Sequence, residues 1–292
     1  MIKPFYFIVL SIFLWSCNDP VINEAQTIEA KVDNAHFLVE KNSIQYREIV
    51  QLDHHRMAKK CGIYTPPAIV NIFTDDSPIV SKLLTINQEV AMDMPFKILA
   101  YSEADTVKAS IRYTSAKFLQ KRHRLKDADL KNYNDIIEKI ISNLPEELIV
   151  IPNIDNLTRG YGIIKIESKY NFQETMTRIQ TVLNLPQNID TRIFTQIDFQ
   201  KDAKAFGIDI RPTFLWLFGA TKPGGMAMHD APQIGLDAFC QKLLVYVDVN
   251  NNVQVCFSDM AAFSKLYYRH HNKAQQVVTK RMASAFKKVL TN

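Results

Sequence analysis

The chain contains two copies of one sequence pattern, and this duplication constrains its fold more than any other feature. Ordinary composition would give about one identity in a window of 21 positions compared at a fixed spacing. Here seven residues recur 145 positions later without a gap: Asp53, Ala58, Lys59, Gly62, Ile63, Pro67 and Phe73 return as Asp198, Ala203, Lys204, Gly207, Ile208, Pro212 and Phe218. Further along, Lys97 and Tyr101 return as Lys242 and Tyr246. The sequence therefore predicts a duplicated domain.

The N-terminus has the pattern of a bacterial export signal. Its first 16 residues carry one charged side chain, Lys3, followed by an apolar run that is shorter than the roughly 20 residues of a membrane-spanning helix. Leu14-Trp15-Ser16-Cys17 resembles a lipobox, in which the cysteine is acylated. We predict a signal peptide over residues 1–16 and a membrane anchor on Cys17. The alternatives are an ordinary anchor helix, or a cleaved signal with an incidental cysteine.

This leader predicts a lipoprotein of the bacterial cell envelope, with the outer membrane favoured. The full chain has a formal net charge of +5, and removal of the leader takes away only Lys3. The remaining excess is small and is spread over both repeats, whereas nucleic-acid binding requires a clustered basic face. We therefore expect no nucleic-acid partner.

Three cysteines follow Cys17 in the chain. Cys240 and Cys256 flank a predicted hairpin that turns at residues 250–252, where they lie about five residues out of register. That separation is far beyond the reach of a disulfide. Cys61 aligns with Phe206 of the other repeat, which suggests a core position. We predict three buried thiols and no disulfide.

The second repeat has a clear pattern of strands and helices. A capping signal at Asn171 opens a helix that Pro186 closes, and an apolar stripe from Val277 to Leu290 marks the last helix. A short helical turn is expected over residues 201–206. The predicted strands cover residues 162–168, 191–199, 213–218, 243–248 and 253–257. The order β-α-β-β-β-β-α predicts an α+β fold with an antiparallel sheet and helices on one face.

The first repeat follows the same order but lacks a first strand. Its predicted elements are a helix over 22–39, strands over 44–52, 68–73, 96–101 and 106–113, and a closing helix from Leu130 to Ile141. Residues 147–151 are strand-like, and we hypothesise that they occupy the missing edge position. The predicted domains are residues 17–151 and 162–292, joined by a linker over 152–161 that contains Gly160.

Several short motifs resemble the family called domain of unknown function 302. The first repeat contributes Asp53-His54, Ala58, Gly62, Pro67 and Asp93-Met94-Pro95-Phe96-Lys97. The second contributes Asp198, Ala203, Gly207, Arg211-Pro212, Phe218-Gly219 and Asp237 with Lys242. The resemblance covers most of the chain after the leader and implies two tandem domains of a TATA-binding-protein-like α+β arrangement. It implies no established activity.

Each copy departs from the family pattern. The first repeat has Pro66 where an Arg belongs and Thr74 where a Gly belongs. The second has Phe199 where the His belongs, and one extra residue between Asp237 and Lys242. These departures are consistent with a site shared between the copies, or with a site that has decayed.

Asp198 and Arg211 form the most suggestive polar pair in the sequence. Asp198 lies at the end of one predicted strand and Arg211 at the start of the next, so they could form a bidentate clamp in which the Asp orients the Arg toward an anion. The alternative is a structural ion pair. Asp53 and His54 could act as an acid–base pair, but adjacent residues of a strand point to opposite faces. The alternative for Asp53 is a cap on the helical turn that follows.

Other candidates are weaker. His54-His55 and His270-His271 lack the accompanying ligands of a metal site, so we expect neither a metal nor a cofactor. Residues 223–225 are Pro-Gly-Gly, which predicts an ordinary loop because no downstream P-loop residues follow. Met226, Met228 and His229 could line the mouth of a pocket.

Two functional hypotheses remain from the sequence. The favoured one is a non-enzymatic module that binds a small amphipathic or anionic ligand, or a partner protein, between sheet and helices or in the cleft between the copies. The alternative is an enzyme that acts on a small anionic substrate through Asp198, Arg211 and His229. A purely structural role for the tandem copies is a third possibility.

Overall fold

The computed structural model describes residues 27–184 and 190–292, so the leader and Cys17 lie outside the described residues. Each repeat forms its own antiparallel sheet. The first has the strand order β1-β2-β3-β4, with β1 (Arg47–Asp53), β2 (Ala68–Thr74), β3 (Phe96–Ser102) and β4 (Ala109–Tyr113). The second has the order β5-β9-β8-β7-β6, with β5 (Ile163–Ser168), β6 (Thr191–Asp198), β7 (Thr213–Ala220), β8 (Gln241–Val247) and β9 (Val253–Ser258).

The strand register preserves the spacing of 145 residues found in the sequence. Phe73 of β2 pairs with Phe96 of β3, and at the matching positions Phe218 of β7 pairs with Gln241 of β8. The two cis peptide bonds of the described residues, Met94–Pro95 and Phe239–Cys240, are also 145 residues apart. The duplication is therefore retained in the pairing of individual residues.

Long amphipathic helices cover the outer face of each sheet. In the first repeat these are α1 (Ile28–Ser43) and α5 (Asp127–Ile141), and in the second α6 (Phe172–Leu183) and α11 (Lys273–Thr291). Thr27 caps α1 and Asn171 caps α6 through side-chain oxygens. The α+β prediction of two antiparallel sheets with helices on one face is confirmed.

The inner faces of the two sheets pack together through two short helices. A 3-10 helix over Gln88–Asp93 of the first repeat lies on the second sheet, and α9 (Ile234–Asp237) of the second repeat lies on the first sheet. One hydrophobic core runs through this interface and contains residues of both repeats. A second core, under α6 and α11, belongs to the second repeat alone. The two copies are thus buried against each other.

Residues 147–151 do not form the strand that was hypothesised. A 3-10 helix over Glu146–Leu148 is followed by a single parallel bridge between Ile149 and Ile111 of β4. The N–H of Val150 donates to the carbonyl of Ile111 at 2.9 Å. The segment thus lies beside β4, at the position that corresponds to β5 beside β9 in the second sheet. Pro152 has no backbone N–H, so it cannot donate a hydrogen bond that would extend the pairing.

The loop predicted at residues 223–225 is wrong, because these residues lie in a helix, α8 (Thr221–Met228). The glycines there allow close packing. A Cβ on Gly224 would lie 2.0 Å from the ring of Phe239, and one on Gly225 would lie 2.8 Å from Ala58. The other α-helices of the described residues are α2 (His54–Lys59), α3 (Ile79–Ile86), α4 (Ala116–His123), α7 (Phe199–Ala205) and α10 (Met260–Tyr268).

The cysteines beyond residue 27 are all free. Cys240 and Cys256 are buried, and Cys256 faces Leu244 across the hairpin, so no disulfide can form. The prediction that Cys61 is buried was wrong, because Cys61 is exposed at the turn after α2. Its counterpart in the other repeat, Phe206, is exposed as well. Among the described residues, no helix combines the length and apolar character needed to cross a membrane.

Candidate functional site

The predicted clamp between Asp198 and Arg211 does not form. Asp198 caps α7 by accepting a hydrogen bond from the backbone N–H of Lys201 at 3.0 Å. The guanidinium of Arg211 donates to the carbonyl of Val247 and to the side-chain oxygen of Gln88, both at 3.1 Å. Each side chain therefore has its own structural partner, and Arg211 connects the second repeat to the first.

Asp53 occupies the matching capping position in the first repeat. It accepts a hydrogen bond from the backbone N–H of Arg56 at 2.7 Å and forms an ion pair with the guanidinium of the same residue. Asp33 of α1 binds that guanidinium from the other side. Asp53 thus begins α2 and ties it to α1, as the capping alternative predicted.

His54 points away from Asp53 and into the interface between the repeats. Only 2% of its surface is exposed, and its ring packs 5.2 Å from the ring of Phe239 beside the backbone of Gly235. Burial lowers its pKa to about 4, although the negative charge of Asp53 acts in the opposite direction. The ring is therefore neutral at pH 7 and serves as a packing group between the copies.

The burial of His54 makes the stability of the protein depend on pH. Its pKa is about 4 when folded and 6.5 in the unfolded chain, so unfolded chains bind the proton more readily and stability falls as the pH drops through this window. The parent protein should lose unfolding free energy between pH 7 and pH 4.5, as measured by urea denaturation. In His54→Met we expect this loss to be smaller by about 2 kcal/mol. His270→Met, at an exposed histidine, is the control. Equal pH dependence in the two variants would contradict this role.

His229 lies at the surface, apart from Asp198 and Arg211. Its Nδ1 lies 3.1 Å from the carbonyl oxygen of Tyr64, across the boundary between the repeats. The side chain is exposed and no hydrogen bond joins it to any other predicted site residue in the described ranges. The structure does not bring the five predicted ligand-binding residues together, and their role in binding remains a prediction.

The Asp and Lys residues of the family-like motifs meet in the interior instead. We call Asp93, Lys97, Arg112, Arg122, His123, Asp237 and Lys242 the inter-repeat ion cluster. Asp93 binds Arg122 at 2.6 Å and His123 at 2.6 Å, and Lys97 lies 3.5 Å away. Burial alone would raise the pKa of Asp93, but Arg122, Lys97 and His123 together hold it well below its usual range. The carboxylate stays ionised in the core.

The second half of the inter-repeat ion cluster is centred on Asp237. Its carboxylate binds Arg112 at 2.8 Å and Tyr267 at 2.7 Å, and Arg112 stacks on the Tyr267 ring. Lys242 donates to the carbonyl of Asp237 at 2.6 Å, and burial lowers the pKa of its amine well below the usual value. These bonds run both within and between the repeats, which indicates that the cluster holds the two copies together.

A cavity lies elsewhere, between the outer face of the second sheet and its helices. Its volume is about 340 Å³. Its walls come from α6, α11, the ends of β6 and β7, and α8, and they are mostly apolar: Val182, Leu183, Phe218, Pro223, Phe239, Val278, Met282, Ala285 and Phe286. Ligand pockets in proteins are typically ~300–1,000 Å³ and largely apolar, so this cavity has the size and character of a binding site.

A comparison of the two repeats shows why the cavity exists. In the first repeat, Phe96 is stacked between Phe73 at 5.6 Å and Tyr133 of α5 at 4.8 Å, and this aromatic stack fills the space between sheet and helix. In the second repeat Gln241 stands at the position of Phe96. The spacing of 145 residues also places Val278 at the position of Tyr133, so two rings of the first repeat's stack are absent beside Phe218.

Gln241 is a buried polar residue that lines the cavity. It is only 2% exposed, yet neither its amide oxygen nor its amide nitrogen has a hydrogen-bond partner among the described residues. An unpaired buried amide costs about 1–3 kcal/mol. Exposed Asp190 and Arg281 line the cavity too, so its mouth carries one charge of each sign. A ligand that pairs with Gln241 would recover this cost.

Sequence reasoning missed Gln241, and the duplication held the signal for it. The spacing of 145 residues aligns Gln241 with Phe96, a polar residue against an aromatic one in the same strand position. The expected absence of a metal stays a prediction; no group of three potential metal ligands occurs within residues 27–184 and 190–292.

Comparison with known proteins gives a family match that covers most of the chain. The model of the family described as "Domain of unknown function DUF302" matches residues 43–144 and 164–289. Among solved structures, an uncharacterized conserved DUF302 protein from Bacillus stearothermophilus is similar, with a TM-score of 0.35 and 13% identity over 44% of this chain and 95% of that one.

Curated relatives match over a shorter region. A protein named "Fluoride-specific ion channel FluC 1" from Brucella suis is 29% identical over 100 residues, which cover 34% of this chain and 38% of that protein. The protein of the same name from Brucella abortus is 29% identical over 100 residues and 36% of its length. This chain thus spans little more than a third of these relatives, and the matches identify no activity for it.

Proposed function

Because this chain belongs to the DUF302 family, whose description states no activity, we propose a function from the geometry of its cavity: the second repeat binds a small amphipathic ligand between its sheet and its helices. The observation that supports this proposal most directly is the amide of Gln241, which has no hydrogen-bond partner among the described residues and lines a mostly apolar cavity of about 340 Å³. The protein is then a binding module and not a catalyst.

The arrangement of the cavity supports a ligand with an apolar body. An apolar cavity of ~150 Å³ accommodates a molecule the size of benzene, so this one has room for a ligand about twice as large. Rings of Phe218, Phe239 and Phe286 would contact that body. Burial of apolar area gives about 25 cal/mol per Å², which supplies the main driving force for binding.

The enzymatic alternative has less support. Asp198 and Arg211 have separate structural partners, and exposed His229 contacts Tyr64 instead of either of them. The envelope location and the acyl anchor on Cys17 remain part of the proposal and rest on the leader sequence alone.

The proposal is tested by titrating the full chain with the neutral apolar dye N-phenyl-1-naphthylamine and measuring its fluorescence. We expect saturable binding at one site, weakened at least tenfold by Ala285→Phe, which places a ring in the cavity. Ser284→Phe, at the exposed neighbouring position of α11, is the matched control and should bind like the parent protein. Absence of saturable binding, or equal binding by all three proteins, would refute the proposal.

A further inference from the structure

The buried polar group of the cavity restricts the chemistry of its ligand. A glutamine amide offers two N–H donors on its nitrogen and an acceptor on its oxygen. Within residues 27–184 and 190–292, neither the nitrogen nor the oxygen of the Gln241 amide has a hydrogen-bond partner, and both atoms are buried. A ligand that satisfies only one of them leaves the other without a partner, at a cost of about 1–3 kcal/mol.

Resting on the proposed function, we propose that the cavity selects ligands whose buried end carries a donor directly beside an acceptor, as in a primary amide or an un-ionised carboxylic acid. Such a group pairs with Gln241 through two hydrogen bonds, one to the amide oxygen and one from the amide nitrogen. An ionised carboxylate has acceptors only, so its second oxygen would face the oxygen of Gln241 without a proton between them.

The charged residues at the cavity do not provide a competing anion site. Arg281 and Asp190 both line the cavity and both are exposed. Their opposite charges offset each other, and exposed charges contribute little to affinity because water and salt screen them. The discriminating contact therefore lies at Gln241, whose amide is buried.

The proposal is tested with two ligands that differ by one group. Octanamide and 2-nonanone have the same chain length, but the amide NH₂ of the first is a methyl group in the second. Each is used to displace N-phenyl-1-naphthylamine from the full chain at pH 7. We expect octanamide to bind at least tenfold more tightly, because the ketone leaves the oxygen of Gln241 unpaired.

A variant separates recognition from simple filling of the cavity. Gln241→Met keeps a side chain of similar volume but removes both hydrogen-bonding atoms. We expect the preference for octanamide to fall to less than twofold in this variant, while 2-nonanone binds as well as before or better. Equal affinities in the parent protein, or a preference that survives in Gln241→Met, would overturn the inference and leave the proposed function intact. If neither compound displaces the dye, the inference and the proposed function are both refuted.

A pH series distinguishes a carboxylic acid from a primary amide as the group that pairs with Gln241. The affinity for octanoic acid should rise about tenfold for each pH unit of decrease between pH 7 and pH 5, since only the un-ionised acid pairs with Gln241. The affinity for octanamide should change less than twofold over the same range. An octanoic acid affinity that does not change with pH would contradict the inference, because the ionised form would then bind equally well.

Discussion

Gln241→Phe is expected to stabilise the protein and at the same time to abolish ligand binding. The substitution gives the second repeat the residue of the first, where Phe96 stacks against Phe73 and Tyr133. It removes a buried amide that has no hydrogen-bond partner in the described part of the chain, and it fills part of a cavity of about 340 Å³. Removing such an amide is worth about 1–3 kcal/mol, and filling the space adds to this.

We expect urea denaturation to show an unfolding free energy about 2 kcal/mol higher, with N-phenyl-1-naphthylamine binding weakened at least a hundredfold. Residues of functional sites commonly lower the stability of the folded protein. A variant that unfolds less readily but binds the dye more weakly would therefore identify Gln241 as part of a binding site. The reciprocal change, Phe96→Gln, is the matched control and should destabilise the first repeat. If Gln241→Phe destabilises the protein instead, the amide has a structural role.

Much of the fold could be predicted from the sequence because its signals are local. The apolar run of β7 and the turn at residues 250–252 between β8 and β9 depend on neighbouring residues, and the observed strands agree with them. The duplication also predicted that the two sheets have equivalent strands at a spacing of 145 residues. In contrast, α8 was missed because its glycines are selected by contacts with Phe239 and Ala58, of which Ala58 is more than 160 positions away in the chain.

The candidate site was much harder to predict than the fold. Asp198 and Arg211 were paired on the basis of proximity in the sequence, but Arg211 finds Gln88 of the other repeat, which only the tertiary structure brings near. The Asp and Lys residues of the motifs proved to be interior, since the inner faces of both sheets are buried. Gln241 is recognised as a candidate only once the structure shows that its amide has no hydrogen-bond partner among the residues described.

Asp93→Asn is expected to cause the largest loss of stability of any single substitution considered for this protein. The Asp93 carboxylate is fully buried and neutralises Arg122 at 2.6 Å, with Lys97 3.5 Å away. Asparagine keeps the shape but leaves these buried cations without their carboxylate. Removal of one partner from a buried ion pair costs about 3–5 kcal/mol, because the remaining charge stays in the interior without compensation.

The same exchange at the surface provides the control for this prediction. Asp76 forms an ion pair with Arg47 at 2.6 Å, but both side chains are more than half exposed, and such pairs contribute at most about 1 kcal/mol. We therefore expect urea denaturation at pH 7 to separate Asp93→Asn from Asp76→Asn by at least about 2 kcal/mol. Because the inter-repeat ion cluster joins both copies, Asp93→Asn should weaken the association of the sheets as a whole. Comparable losses in both variants would mean that packing alone holds the repeats together.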